Sequence, residues 1–161
     1  MCSEEYIMNV CHGSCCQGSN KILISLLPEE VIEHEGNGQI VIDGKLQANR
    51  ITGICPYKDS NGLCALHNTS NKPFGCIASP FTINKNDTLI IRHRYSKMKC
   101  HGNGSYAYVV FRPSLNLMFG ENEAERICKE LEAHMNDDIE IYGYMPIENY
   151  NKMLYLDNLK K

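Results

Sequence analysis

Cys55-Pro56-Tyr57-Lys58-Asp59-Ser60-Asn61-Gly62-Leu63-Cys64 has neither the alternation of a half-buried strand nor the recurrence of a helix face. The chain keeps this character as far as Pro80, rich in Asn, Gly, Ser and Pro. A loop of that length has no apolar face with which to fix its own shape, so another agent must do it. Cys55, Cys64 and Cys76, spaced along the loop, point to a metal as that agent.

Regular structure is expected on both sides. Lys21 to Leu27 is an extended apolar run, and Pro28-Glu29-Glu30-Val31-Ile32-Glu33 opens a helix with Pro and acids in its first turn, stopped at Gly36. Gln39 to Ile42 and Lys45 to Ile51 read as a hairpin around Asp43-Gly44, a dipeptide suited to the positive φ of a primed turn. Thr88 to Tyr95 and Ser105 to Arg112 are β-branched and aromatic, which predicts an antiparallel pair. Beyond Asn122, the residues Ala124, Ile127, Cys128, Leu131 and Met135 fall on one helical stripe. Ile139 to Tyr142 is a short strand candidate, and a last helix starts at about Pro146. The expected fold is a single small α+β domain over 1–161, with cysteine-rich, metal-clamped loops and short antiparallel strands across 11–102. Residues 103–161 are expected to add a supporting strand and a C-terminal helical segment.

With 161 residues, 43% of them hydrophobic and 22% charged, the chain can build one core. A net charge of −3 lacks the excess of Lys and Arg that phosphate binding needs, so nucleic acid is not expected as a partner. Glu4 and Glu5 stand where a secretory leader would carry basic residues, and no apolar run is long enough for a membrane span. The expected location is the cytoplasm, where disulfides do not persist and thiols stay available for metals. The glycosylation-like triplets at Asn68, Asn86 and Asn103 then carry no weight.

Seven cysteines form the expected ligand set: Cys11-x3-Cys15-Cys16, Cys55-x8-Cys64-x11-Cys76, and Cys100 after a further 23 residues. Thiolate ligation needs sulfurs within about 2.3 Å of one ion, and seven exceed one tetrahedral site. Two four-ligand sites need an eighth donor, for which His12, His67, His101 and Cys2 are candidates, and a bridging thiolate is the other solution. Neighbouring side chains usually diverge, so Cys15 and Cys16 serve two ions, or one ion and a supporting role. Cys128 belongs to an apolar helix face and Cys2 to a fraying terminus, and neither is counted as a ligand. Seven thiolates around two divalent ions would take the formal charge to about −6, making nearby cations useful.

Cys11-His12-Gly13-Ser14-Cys15-Cys16 followed by Leu26-Leu27-Pro28-Glu29-Glu30-Val31 resembles the opening blocks of the YkgJ-type cysteine-cluster family. Cys55-Pro56-Tyr57, Gly62-Leu63-Cys64-Ala65-Leu66, Lys72-Pro73-Phe74-Gly75-Cys76 and Pro80-Phe81 match its later blocks in the same order, over about residues 11 to 102. The resemblance implies a zinc- or iron-chelating domain, and related flagellin lysine-N-methylases imply an iron–sulfur cluster. Lys72 departs from the family's usual Arg and cannot make its planar two-pronged contact, and the Cys64–Cys76 loop is longer than usual.

Other motifs are weaker. Arg92, Arg94, Lys97 and Lys99 precede Cys100 and read either as a solvated strand face or as cations offsetting thiolate charge. Cys76 with His67, or Cys100 with His101, are nucleophile–base candidates, though clustered thiols favour ligation. His34 and His134 lie in helices among acids and are expected to face solvent. Gly102-Asn103-Gly104 lacks the spacing and Lys-Ser/Thr ending of a phosphate loop, and no dinucleotide turn is present.

The function expected is metal binding, with the clustered cysteines chelating iron as an iron–sulfur cluster, or zinc. The alternatives are a metal-dependent redox or group-transfer enzyme, and a structural zinc module for contacts with a protein partner.

Overall fold

The computed structural model describes residues 1–16, 24–79, 81–83, 89–91, 106–134 and 144–159. Its architecture is α+β, with short antiparallel strands in the front half and a helical C-terminal part.

The chain starts with a helical turn, α1 (Glu4–Tyr6), in which Ser3 Oγ accepts from the Tyr6 N–H, and continues as a π-helix over Ile7–Cys11. It ends on His12 at φ 48, and Ser14–Cys16 form a 3₁₀ turn. The expected extended run is described from β1 (Ile24–Ser25), with Leu26 and Leu27 buried behind it. α2 (Pro28–Gly36) has Pro at its start and stops at the expected glycine.

β2 (Val41–Ile42) and β3 (Lys45–Leu46) form the expected hairpin, Asp43 and Gly44 both having positive φ. β1 pairs antiparallel with the other side of β3, giving the order β1-β3-β2. The third segment is shorter than expected. Asn49 Oδ1 accepts from the N–H groups of Ile51 and Thr52 and turns the chain, leaving Ile51 95% exposed.

The long loop holds one short helix, α3 (Phe74–Ile77), and a bridge between Lys58 and Cys64. β4 (Phe81–Ile83) then pairs antiparallel with β5 (Leu89–Ile91), the described part of the expected Thr88–Tyr95 strand. Its expected partner, Ser105–Arg112, is no strand where it is described. Ala107–Val110 is a helix, α4, and α5 (Arg112–Phe119) follows. Tyr108, Phe111, Leu115 and Met118 are buried at intervals of three and four, so the helical stripe overrides the strand propensity of Tyr106 to Val110.

α6 (Glu121–His134) buries Ala124, Ile127 and Leu131 on the expected stripe, with Cys128 partly buried beside them. α7 (Ile147–Asn158) starts after Pro146 as expected and buries Met153 and Leu156. Among the described residues of 103–161 the regular elements are all helices. The Ile139–Tyr142 strand candidate and Met135 lie outside the described residues.

One apolar cluster joins the two halves, from Cys2, Ile7 and Cys11 through Phe74 and Phe81 to α5, α6 and α7. Phe81 meets Phe111 edge to face at 6.0 Å between ring centres. Among the described residues, no helix is long and apolar enough to cross a membrane.

Candidate metal centre

The cysteine segments meet through their backbones. The Cys55 N–H donates to the Cys16 carbonyl at 3.2 Å, and Lys58 Nζ donates to the His12 carbonyl at 3.1 Å. Gly13 and Gly62 permit this approach. A Cβ on Gly13 would lie 2.3 Å from the Gly62 carbonyl oxygen, and one on Gly62 would lie 2.9 Å from that of His12. Both have positive φ, so the conformation and the close contact each favour glycine.

A second junction brings in Cys76. The Glu30 carboxylate accepts from the N–H of Leu27 at 2.8 Å and from that of Phe74 at 2.6 Å, so one side chain caps α2 and anchors the start of α3. Gly75 lies against β1, where a Cβ would meet the Ser25 carbonyl oxygen at 2.5 Å. Buried Ser114 Oγ donates to the Ile77 carbonyl at 2.6 Å, tying the far end of α3 to α5.

The junctions bring sulfur atoms together. Cys15 Sγ and Cys16 Sγ are 3.8 Å apart, and the Cys16 side chain also hydrogen-bonds to that of Cys55. The adjacent pair therefore converges, against the usual divergence of neighbouring side chains. Four sulfurs at about 2.3 Å from one ion are themselves separated by about 3.8 Å, so this spacing suits two ligands of a single ion. Cys16 holds its proton between two acceptors, which pushes its own ionisation up and brings Cys15 down to about 6 and Cys55 to about 7. The Tyr57 backbone N–H assists Cys55 as well.

Cys76 and Cys64 interact with one another, and Cys76 with Cys55 and Cys15, through charge. Desolvation pushes the Cys76 thiol up to about 12 against the pull of Lys72, with Cys55, Cys64 and Cys15 contributing repulsion. Lys72 is only 8% exposed, and its charge acts on Cys15, Cys55 and Cys76 together. The expected cations, Arg92, Arg94, Lys97 and Lys99, lie outside the described residues.

Five of the seven expected ligands thus share one neighbourhood. Cys11 is buried in the apolar cluster, its carbonyl accepting from Ser14 Oγ at 2.5 Å, and Cys100 lies outside the described residues. Cys2 is buried at 8% exposure and does not fray, and Cys128 sits beside Arg112 and Glu125 on the helical side. Of the candidate eighth donors, His67 is partly buried, and desolvation first, then the charge of Lys72, lower its pKa against the opposing effect of a hydrogen bond with the Cys2 backbone. His12 is exposed, and His101 is outside the described residues.

All eight described cysteines are free thiols. Cys15, Cys16 and Cys55 meet in pairs along a row, and among the described residues no three His, Cys, Asp or Glu side chains converge to hold an ion. The donor chemistry fits a thiophilic metal. A closed ligand shell would need the thiol protons to leave and the sulfurs to turn inward.

His34 and Tyr57 support the row from behind. His34 was expected to face solvent but is 1% exposed, with Nδ1 2.7 Å from the Tyr57 hydroxyl and Nε2 buried without a partner. Burial lowers its pKa and raises that of Tyr57, which also feels Cys55 and Cys64. His34 shares a helix face with Leu27, Glu30 and Val31, and that spacing is the local sign of its burial. The side chain of His134 lies outside the description.

No protein-family model matches the chain, and no curated protein or solved structure does.

Proposed function

We propose that this chain is a metal-binding protein whose clustered cysteines chelate iron, as an iron–sulfur cluster, or zinc. The observation that carries the reading is the row of Cys15, Cys16 and Cys55, from segments far apart in sequence, with the charge of buried Lys72 acting on Cys15, Cys55 and Cys76. Isolated buried cysteines act as small hydrophobes, but thiols touching one another in polar loops beside a cation suit ligation better. The ordered likeness to YkgJ-type blocks supports the same ligand set, with Cys11 and Cys100 completing it.

A bound zinc ion would supply a cross-link between loops, and an iron–sulfur cluster an electron-accepting centre as well. The protein's own part is to hold the sulfurs. Gly13 and Gly62 bring two loops into register, Glu30 anchors the turn of Cys76, and Lys72 offsets the negative charge of the thiolates. The excess of cysteine over histidine favours iron. A reducing cytoplasm is the compartment that would keep this set available.

Exposure of Cys15 favours a second reading, a metal-dependent redox or group-transfer enzyme whose site opens to a substrate on that side.

Anaerobic purification of the full chain, with iron, zinc and acid-labile sulfide analysis and a visible spectrum, tests the proposal. Brown protein with sulfide establishes a cluster, and colourless protein with stoichiometric zinc establishes the zinc form. C16S and C55S should lose the metal while C128S retains it. A chain that holds neither metal, as purified or after anaerobic reconstitution, overturns the reading.

A further inference from the structure

We propose that Cys16 and Cys55 are a dithiol that closes to a disulfide when the chain meets a low-molecular-weight disulfide, and that the bond switches the thiol site off. The bond itself needs no iron or zinc, while its consequence for an ion rests on the metal-binding reading. Two contacts join the pair. The Cys55 N–H donates to the Cys16 carbonyl at 3.2 Å, and the two thiol side chains hydrogen-bond to each other. Residues facing each other across backbone hydrogen bonds stand about 5.5 Å apart between Cα atoms, inside the range of about 4.4–6.8 Å that a disulfide spans. Cys15 Sγ is also close to Cys16 Sγ, at 3.8 Å. Sequence neighbours, however, are only about 3.8 Å apart between Cα atoms, too short for an unstrained bridge. Between these two contacts of Cys16, the geometry selects Cys55 as the bonding partner.

The junction of the two loops holds the pair in register. Gly13 and Gly62 pass with no room for a Cβ on either, and Lys58 Nζ donates to the His12 carbonyl at 3.1 Å. Cys16 is the partly exposed member and Cys55 the buried one, so the reagent enters at Cys16. The Cys16 thiolate attacks one sulfur of the reagent, whose S–S bond breaks and whose first half leaves as a thiolate. Cys55 then attacks Cys16 Sγ, the mixed bond breaks, and the second half leaves. The two protein thiols lose two protons and two electrons, and the reagent is reduced to two thiols. Once the bond is closed, neither residue has a thiolate to offer, and an ion that needs them is excluded until a reductant reopens the pair.

The test uses the full chain, reduced and freed of metal with a chelator, then equilibrated with glutathione disulfide. After the remaining thiols are alkylated, peptide mapping by mass spectrometry should find Cys16 joined to Cys55. C15S, C64S, C76S and C128S should keep the bond, and C16S and C55S should lose it. Mapping of the wild-type chain needs no variant, so the result does not depend on whether C16S or C55S folds. The oxidised chain should melt about 5–10 °C above the reduced one, because the bond closes a long loop of the unfolded chain, and dithiothreitol should reverse the shift. A Cys15–Cys16 bridge, mixed disulfides alone, or free thiols at Cys16 and Cys55 overturn the proposal. Where the reduced chain takes up iron or zinc, the oxidised one should take up neither, and equal uptake by both forms overturns the switch. The bond in a chain that takes up no metal even when reduced leaves the dithiol standing and removes the metal reading. Metal uptake by a reduced chain that forms no such bond does the reverse.

Discussion

The two halves of the molecule hold their shape by different means. In the back half, α5, α6 and α7 bury Leu115, Met118, Ile127, Leu131, Met153 and Leu156, and many weak apolar contacts share the load. In the front half the loops depend on a few directed contacts, such as Cys55 on Cys16, Lys58 on His12 and Glu30 on Phe74. A packed face tolerates the loss of one atom and suffers from the loss of a whole side chain. A junction of carbonyls and glycines reacts in the opposite sense, because one added carbon has nowhere to go.

The largest effect should come from the packed half. Leu115 is fully buried, and Leu115→Ala is expected to lower stability by about 2–5 kcal/mol in urea denaturation. Under native conditions the thiols of Cys15 and Cys16 should still be labelled at the wild-type rate. A changed rate would show that the loops lean on the helices more than on one another.

Gly13→Ala attacks the other half. Its Cβ would lie 2.3 Å from the Gly62 carbonyl oxygen, at φ +63, and the strain should cost about 1–3 kcal/mol. Labelling of Cys55 should accelerate as the Cys16 contact opens, while the hydrogen-exchange protection of α6 is retained. Equal loss of protection in both places would dissolve the distinction between the halves.

His34 gives a pH test of the same region. The unfolded imidazole takes up a proton near pH 6.5, whereas burial lowers the pKa of the folded one. The unfolded chain therefore binds more protons below that pH, and stability should fall as the solution is acidified from about 6.5. Denaturation midpoints measured across this range should flatten in His34→Phe. An unchanged slope in the variant would assign the acid sensitivity to another group.

Legibility in the sequence divides along the same line. Pro28, Gly36, Asp43-Gly44, Pro146 and the Ala124–Leu131 stripe act through nearest neighbours along the chain, and the corresponding elements appear where expected. Ser105–Arg112 misled because Tyr and Val favour strands locally, while the burial of Phe111 and Leu115 was decided by distant partners. In the site, closely spaced cysteines announced themselves. Glu30 reads as one of the acids in the first turn of a helix, and nothing local reveals that its second oxygen reaches Phe74. Gly13 meets Gly62, Lys72 faces sulfurs from other loops, and His34 finds Tyr57, all through contacts that exist only after the chain has folded.

The smallest effect should come from the ion pairs on the outer face of α6. Arg126 reaches Glu123 at 2.8 Å and Glu130 at 2.7 Å, and the Glu123 carboxylate also accepts from the Tyr144 N–H at 2.8 Å. These distances are as short as those at Glu30, so contact length alone would rank the two sites together. Environment separates them. The Arg126 side chain is 44% exposed, water competes for it, and mobile salt screens the charge. Arg126→Gln should therefore cost less than about 1 kcal/mol at low salt and almost nothing at high salt, as read from thermal melts at both ionic strengths. A loss that persists in high salt would mean that Glu123, freed from Arg126, also releases Tyr144 and with it the approach to α7. The helical half would then share the front half's dependence on single directed contacts.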